Sequence, residues 1–273
     1  MSLAVIIPNY NKEKYLTKCI ESVYLQSMQP SEVIVVDDCS TDNSVVILKE
    51  LQKRFISLKV VLLEINQGVS NARNVGVSMS TCDFITFLDS DDYYYNPDKI
   101  KNEMHLIEKY GDDTVAYSYT AKINERGDLI RARMGTFRYP EGQVTNKLIA
   151  NFRYCSGMPR DYCLSKKKFF KVGGYTVGKS LYEDLELTIK LAEAGCILRN
   201  TKQIGTAYRA VSTGLSVQKK EKLENALSET LHFYYQKATW LDRRKIDGLR
   251  ILTMGYRCFE FVERRIGIDP EGR

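Results

Sequence analysis

Phe84 to Pro97 reads FITFLDSDDYYYNP. Four apolar residues (Phe84, Ile85, Phe87, Leu88) predict a buried strand. The strand stops on Asp89, Asp91 and Asp92, with only Ser90 among them. Carboxylates packed together at a strand end repel one another unless something cationic sits there. In an open α/β sheet the carboxyl end of a strand is also where ligands bind. A hard divalent ion, bridging protein carboxylate to substrate phosphate oxygens, accounts for both the charge and the place. A solvated acidic turn before a helix starting near Asn96-Pro97 accounts for the same residues without a ligand.

The surrounding sequence predicts strand and helix in alternation. Residues 3–7 (LAVII), 33–36 (VIVV) and 58–63 (LKVVLL) are apolar runs of strand length. Between them lie helical patterns: Leu16, Ile20 and Val23; then Val45, Leu48 and Leu51; then Ala72, Val75, Gly76 and Met79 after the loop NQGVSNARN. A fourth helix, over about 97–110, carries Ile100, Met104 and Ile107. This order predicts an α/β fold with a Rossmann-like, mostly parallel central sheet flanked by helices. The second half is less regular. Thr114–Thr120 reads as a strand, and Leu129–Met134 as an edge strand turned by Arg126-Gly127-Asp128. Lys166–Lys168 opens a helix ending near Gly173, and Tyr182–Gly195 is a helix with Leu185, Ile189 and Ala192 on one side. From Gln218 onward two amphipathic helices form a C-terminal extension, one with Leu223, Leu227, Leu231 and Tyr234, the other with Ile246, Leu249, Tyr256, Phe259 and Val262. The break near Gly214 divides 1–215 from 216–273.

The 273 residues are 44% hydrophobic and 27% charged, a globular balance. No apolar run approaches the ~20 residues that span a bilayer. The start, MSLAVIIPNY, has no basic region or cleavage pattern, so it is not read as a secretion signal. Seven cysteines without CxxC pairs point to a reducing compartment, so a cytoplasmic location is expected. Two histidines, His105 and His232, leave almost no material for a histidine metal site or a Ser-His-Asp triad. The net charge is +6, and Arg153 to Lys179 holds seven Lys or Arg against Asp161 alone. That concentration is either a solvated face or a contact for phosphates, an acidic glycan or lipid headgroups. Nucleic acid is not an expected partner.

Three strand ends carry polar groups: Pro8-Asn9-Tyr10-Asn11, Asp37-Asp38 and Asp89-Ser90-Asp91-Asp92. If the strands are parallel, these ends form one cleft. Tyr10 offers a flat face to a base, and Asp38 could accept a ring N–H. There is no GxxxxGK[ST] or GxGxxG loop, so a glycine cradle for phosphate is not indicated. Metal-mediated phosphate binding, with help from Arg73, remains; Arg73 can equally pair with an acid of the loops.

IIPNYNKEKYLTKCIESVYLQS, VIVVDDCSTDNS, NQGVSNARNVG, FITFLDSDD and GGY…YEDLELTIKLAEAG stand in the order seen in glycosyltransferase family 2, which the chain resembles over about residues 3–215. The resemblance implies an inverting, nucleotide-sugar-dependent enzyme of the GT-A fold, with a nucleotide-sugar half at about 1–110 and an acceptor half at about 111–215. It implies nucleotide binding by Pro8, Tyr10, Asn11, Asp38, Arg73, Asp89 and Ser90. Asp91 would hold Mn2+ or Mg2+, flanked by Asp92, and Asp184 would be the general base. Two acids at a helix start, Glu183 and Asp184, are also ordinary capping residues. Uracil is the usual partner of this Tyr–Asp arrangement in relatives, so a UDP-sugar donor is favoured.

Many relatives carry a histidine where this chain has Val211, in Tyr208-Arg209-Ala210-Val211. That leaves Asp91 as the one direct protein ligand, which predicts weak or substrate-dependent metal binding. A glycan or lipid-linked saccharide is the expected acceptor. Tyr154, Met158, Pro159, Arg160 and Tyr175 are candidates for its groove or for general packing. Arg243, Arg244, Lys245, Arg250, Arg257, Arg264 and Arg265 give the C-terminal helices a basic face, suited to peripheral contact with a membrane or to packing on the core or a second subunit. Two other readings compete with the transferase. A nucleotidyltransferase would need a glycine-rich basic loop after the first strand, which PNYNKEKY lacks. A non-catalytic nucleotide- or sugar-binding module of the same fold is favoured by the missing histidine and disfavoured by intact Asp38, Asp91 and Asp184.

Overall fold

The computed structural model describes residues 1–131, 141–150, 160–211 and 220–249. In chain order the elements are β1 (Leu3–Asn9), α1 (Glu13–Tyr24), β2 (Glu32–Asp37), α2 (Ser44–Arg54), β3 (Leu58–Leu62), α3 (Val69–Met79), β4 (Phe84–Phe87), β5 (Tyr93–Tyr94), α4 (Lys99–Tyr110), β6 (Thr114–Ile123), β7 (Leu129–Arg131), α5 (Thr145–Ala150), β8 (Leu164–Ser165), α6 (Lys166–Lys171), α7 (Glu183–Glu193), β9 (Ile197–Arg209) and α8 (Lys220–Lys237). A further helix, α9, covers 240–249.

The central sheet has the order β3-β2-β1-β4-β8, parallel throughout except that β8 runs antiparallel to β4. Every residue of β1, β2 and β4 is buried, because helices cover both faces. Successive side chains alternate between the two layers. Leu3, Val5 and Ile7 pack with α1, α2 and α4, whereas Ala4 and Ile6 pack with α3, α7 and α8. The chain adds strands on one side of β1 up to β3, then returns to place β4 on the other side. The crevice above β1 and β4 is therefore the topological switch point, where open α/β sheets bind ligands.

A second sheet has the order β5-β9-β6-β7. Ala116 of β6 exchanges two backbone hydrogen bonds with Cys163, next to β8, so the second sheet continues the first. β9 thus brings its far end, Tyr208 and Arg209, with Val211 just beyond it, to the carboxyl end of β4.

Two details depart from the sequence reading. The acidic turn does not run straight into α4; Tyr93-Tyr94 first pairs with Ala207 and Thr206 of β9. Two residues are too few to show a period, but they anchor the turn. The inward stripe of α3 is also rotated. Met79 is exposed and Val75 half-buried, while Arg73 and Val77 point inward with Ala72 and Gly76. A buried arginine is the reason, since it finds two carboxylates beneath the helix. α8 sets Leu227 and Tyr234 in the same core as α7. Residues 132–134, Tyr154, Met158, Pro159, Gly214, and Arg250, Arg257, Arg264 and Arg265, with Tyr256, Phe259 and Val262, lie outside the described residues.

Candidate active site

A cavity of about 810 Å³ opens over the carboxyl ends of β1, β2 and β4. Pro8, Tyr10, Asn11, Asp38, Arg73, Asp89, Ser90, Asp91, Asp92, Arg160, Glu183 and Asp184 all line it. The residues come from loops more than 100 positions apart in sequence, and three of those loops hold a non-glycine residue with positive φ: Asn11 at 52°, Cys39 at 63° and Tyr182 at 56°. Such backbone is costly and tends to gather at working sites.

The floor is built from polar loops tied to one another. Asp37 is buried and accepts from Asn9 Nδ2 at 2.7 Å and from the Ser40 backbone N–H at 2.8 Å. Asn11 Oδ1 accepts the Thr41 N–H at 2.7 Å, joining the β1 and β2 loops. Asp38 accepts the backbone N–H groups of Gln67 and Gly68 at 2.8 and 2.7 Å. It therefore fixes the loop into α3 as well as lining the cavity. Tyr10 is 44% exposed at the rim.

Each carboxylate after β4 has its own partner. Asp89 accepts from Arg73 at 2.6 Å, and Asp91 pairs with Lys12 at 2.6 Å. Asp92 accepts the Arg209 backbone N–H at 2.7 Å. Burial raises the Asp89 carboxyl, but Arg73, Arg160 and Lys12 outweigh it and hold the group below the usual range. Burial, then Asp91 and Asp89, push Asp92 well above that range. The buried Cys19 thiol, which donates to the Asp89 carbonyl, is likewise pushed up, first by burial and then by the three carboxylates.

Across the cavity, α7 presents Glu183 and Asp184 in its first turn. Glu183 accepts from Arg73 at 2.9 Å. Burial and then Asp184 raise its carboxyl, with Arg73 opposing. Asp184 Oδ1 accepts the Leu185 N–H at 2.8 Å, and its Oδ2 lies 3.4 Å from Arg160 Nε. Arg160 also stands 3.8 Å from Asp89 and over the Tyr208 ring. Its guanidinium thus bridges the two acidic walls. Arg73, only 1% exposed, is a strut between the same walls. Val211 lines the cavity.

Three residues that sequence reasoning passed over matter to this arrangement. Lys12 holds Asp91; its signal was being the first cation after β1. Arg209 sends its backbone N–H to Asp92, its Nε to the Asp91 carbonyl and its Nη1 to the Glu125 carbonyl, fastening the acidic turn to β9. Tyr182 supplies the left-handed turn before α7, which no sequence pattern announces.

Among the described residues no group of three or more His, Cys, Asp or Glu is placed to cage a metal ion. The hard oxygen donor of Asp91, lining the cavity among the carboxylates of Asp89 and Asp92, nevertheless fits a cation completed by substrate oxygens and water, the manner in which Mg2+ is commonly held. Among the described residues no helix is long and apolar enough to cross a membrane.

The chain's likenesses agree with this geometry. A solved structure of Staphylococcus aureus TarS 1–349 in complex with UDP-GlcNAc superposes with a TM-score of 0.71 at 22% identity, covering 100% of this chain and 74% of that one. GalNAc-T7 solved with UDP, GalNAc and Mn2+ gives a TM-score of 0.62 at 15% identity, over 77% of this chain and 44% of that one. These likenesses establish the GT-A fold. An uncharacterized glycosyltransferase of Haemophilus influenzae is 30% identical over 191 residues, which is 70% of this chain and 62% of the relative. The poly(ribitol-phosphate) beta-N-acetylglucosaminyltransferase TarS of S. aureus is 36% identical over 130 residues, 46% of this chain and 22% of that protein. The chain thus spans less than two thirds of either relative. The family model for glycosyl transferase family 2 matches residues 4–166, and on that match the chain belongs to glycosyltransferase family 2.

Proposed function

We propose that the protein transfers a sugar, with inversion, from a nucleotide-diphosphate donor to a hydroxyl of a glycan or lipid-linked saccharide acceptor. A UDP-sugar is the favoured donor, a choice supported by solved neighbours that hold UDP-GlcNAc or UDP. The observation that carries the reading is that Asp38, Asp91 and Asp184 line one cavity.

Pro8, Tyr10 and Asn11 would receive the base from the β1 side, Tyr10 by stacking and Asp38 by accepting its ring N–H. Asp89 and Ser90 would meet the ribose side. Arg73 would serve the nucleotide by holding Asp89 in place, since its own guanidinium is engaged. A manganese or magnesium ion, held by Asp91 with Asp92 behind it, would neutralise the charge that grows on the departing diphosphate. Asp184, on the α7 wall across the cavity from Asp91, would take the acceptor hydroxyl proton as that oxygen attacks. The Leu185 N–H at the start of α7 holds the Asp184 Oδ1 in place. Arg160 would leave its bridge between Asp89 and Asp184 to admit the sugar, and then contact donor or acceptor oxygens. The working place is the cytoplasm. Peripheral contact with an anionic membrane face through α8 and α9 is supported by exposed Trp240 and Leu241 beside Arg244 and Lys245.

Incubation with a panel of nucleotide sugars and Mn2+, reading released nucleotide, tests the proposal. Slow hydrolysis of one donor, lost in Asp91→Ala, is expected. Binding of a donor without release in the presence of any acceptor would favour the binding module instead.

A further inference from the structure

The three carboxylates after β4 are held by unlike partners. Arg73 is buried and also fixed to Glu183, so it stays with Asp89. Asp92 is buried against a backbone N–H, which cannot leave. Asp89 keeps Arg73 even when the more exposed Arg160, 3.8 Å away, moves, whereas the side-chain cation on Asp91 is Lys12, which has no second ion pair among the described residues. The Lys12 ammonium lies 2.6 Å from Asp91 Oδ2, the two side chains are 25% and 18% exposed, and both residues line the cavity. Among the described residues Asp91 is the one carboxylate paired with Lys12.

The position of this pair is as telling as its length. Lys12 sits just past β1 and Asp91 just past β4, the two strands that flank the switch point. The ion pair therefore spans the crevice in which a diphosphate would lie. A lysine is a compact cation on a flexible stem and binds phosphate as a point charge.

We infer that Lys12 is a stand-in for the divalent cation: it occupies Asp91 in the empty protein, and the donor's diphosphate takes it over when the cation takes Asp91. This rests on Asp91 being the residue that holds the ion. A cation arriving alone must displace the ammonium and leave it without a partner. A cation arriving with a diphosphate gives the ammonium a new one. Cation and nucleotide consequently raise each other's affinity, and linkage makes the factor equal in both directions. The protein would load donor and metal together rather than carry a resident metal.

Mn2+ binding, followed by the EPR signal of the free ion, tests this in wild type, Lys12→Met and Lys12→Arg, each with and without UDP. Without nucleotide, Lys12→Met is expected to bind Mn2+ about 10-fold more tightly than wild type, within the usual span of coupling factors. The enhancement by UDP should shrink by a similar factor, and UDP affinity in EDTA should fall. Lys12→Arg should keep the wild-type pattern. Equal Mn2+ affinities for wild type and Lys12→Met without UDP would overturn the inference while leaving the transferase reading intact. Undiminished Mn2+ binding by Asp91→Asn with UDP would instead remove Asp91 from the metal, and the inference with it.

Discussion

Arg73 Nη1 donates to Glu183 Oε1 at 2.9 Å, joining α3 to the first turn of α7 across 110 residues of sequence. The other arm of the same guanidinium donates to Asp89 at 2.6 Å. The planar fork of arginine suits two carboxylates at once, which a lysine ammonium cannot reproduce from the same stem. Donor-side and base-side walls are thereby set at a fixed spacing. Arg73→Met would leave Glu183 without its ion-pair partner and Asp89 with only the more distant, half-exposed Arg160 at 3.8 Å. A loss of roughly 3–5 kcal/mol of folding stability is expected, the cost of breaking a buried pair by removing one partner. Urea denaturation measures it, and Arg73→Lys should recover only part.

Asp184→Asn keeps the shape of the side chain and the oxygen that accepts the Leu185 N–H, so α7 should start as before. What it removes is the basic oxygen. Nucleotide release in the presence of acceptor should fall by about 10²–10⁴-fold, the usual worth of a positioned general base. Donor affinity by calorimetry should stay nearly unchanged. A variant as active as wild type would take Asp184 out of the base role.

The parallel half of the fold was legible because its strands are continuous apolar runs and its helices show a clean 3.6 period. The polar strand ends were legible for the same reason: Asp37-Asp38 closes the apolar run VIVV, and Asp89-Ser90-Asp91-Asp92 closes FITFL. Asp184 was placed by resemblance alone, since two acids at a helix start are ordinary capping chemistry. The Lys12–Asp91 and Arg73–Glu183 pairs were hidden because charge partners 79 and 110 residues apart leave no local pattern. β5 was hidden by its length, and Tyr182 by its residue type, since nothing about tyrosine signals left-handed backbone.

Gly76 shows how closely α3 lies on the sheet. A Cβ there would stand 2.4 Å from Ile6 Cγ2 and 3.3 Å from Val36 Cγ2. Alanine would gain up to about 1 kcal/mol of helix propensity. Overpacking a core costs about 1–3 kcal/mol, and here the neighbours are strand side chains at the centre of the sheet. A net loss is therefore expected for Gly76→Ala, seen as a lower Tm. A higher Tm would mean that α3 can lift from β1 without cost.

Glu32 lies at the far end of β2 from the cavity, so its effect separates stability from catalysis. Its carboxylate accepts from Lys59 at 2.7 Å, from Thr81 Oγ1 at 2.7 Å and from the Thr81 N–H at 3.1 Å, pinning β3 and the approach to β4. Burial alone would raise the group, but Lys59, Thr81 and Ser80 outweigh it and bring it down to about 2 from 4.5. A depressed carboxyl favours the fold when ionised. Its contribution is therefore complete above pH about 4.5 and fades as pH falls towards about 2. The full linkage is about 3 kcal/mol at roughly 1.4 kcal/mol per pH unit, and screening of the half-exposed Lys59 ammonium lowers this towards about 1 kcal/mol. Glu32→Gln should be less stable than wild type at pH 7, and the gap in urea unfolding should narrow as the pH is taken from 5 to 3. Parallel stability curves over that range would show that Glu32 titrates like a free side chain.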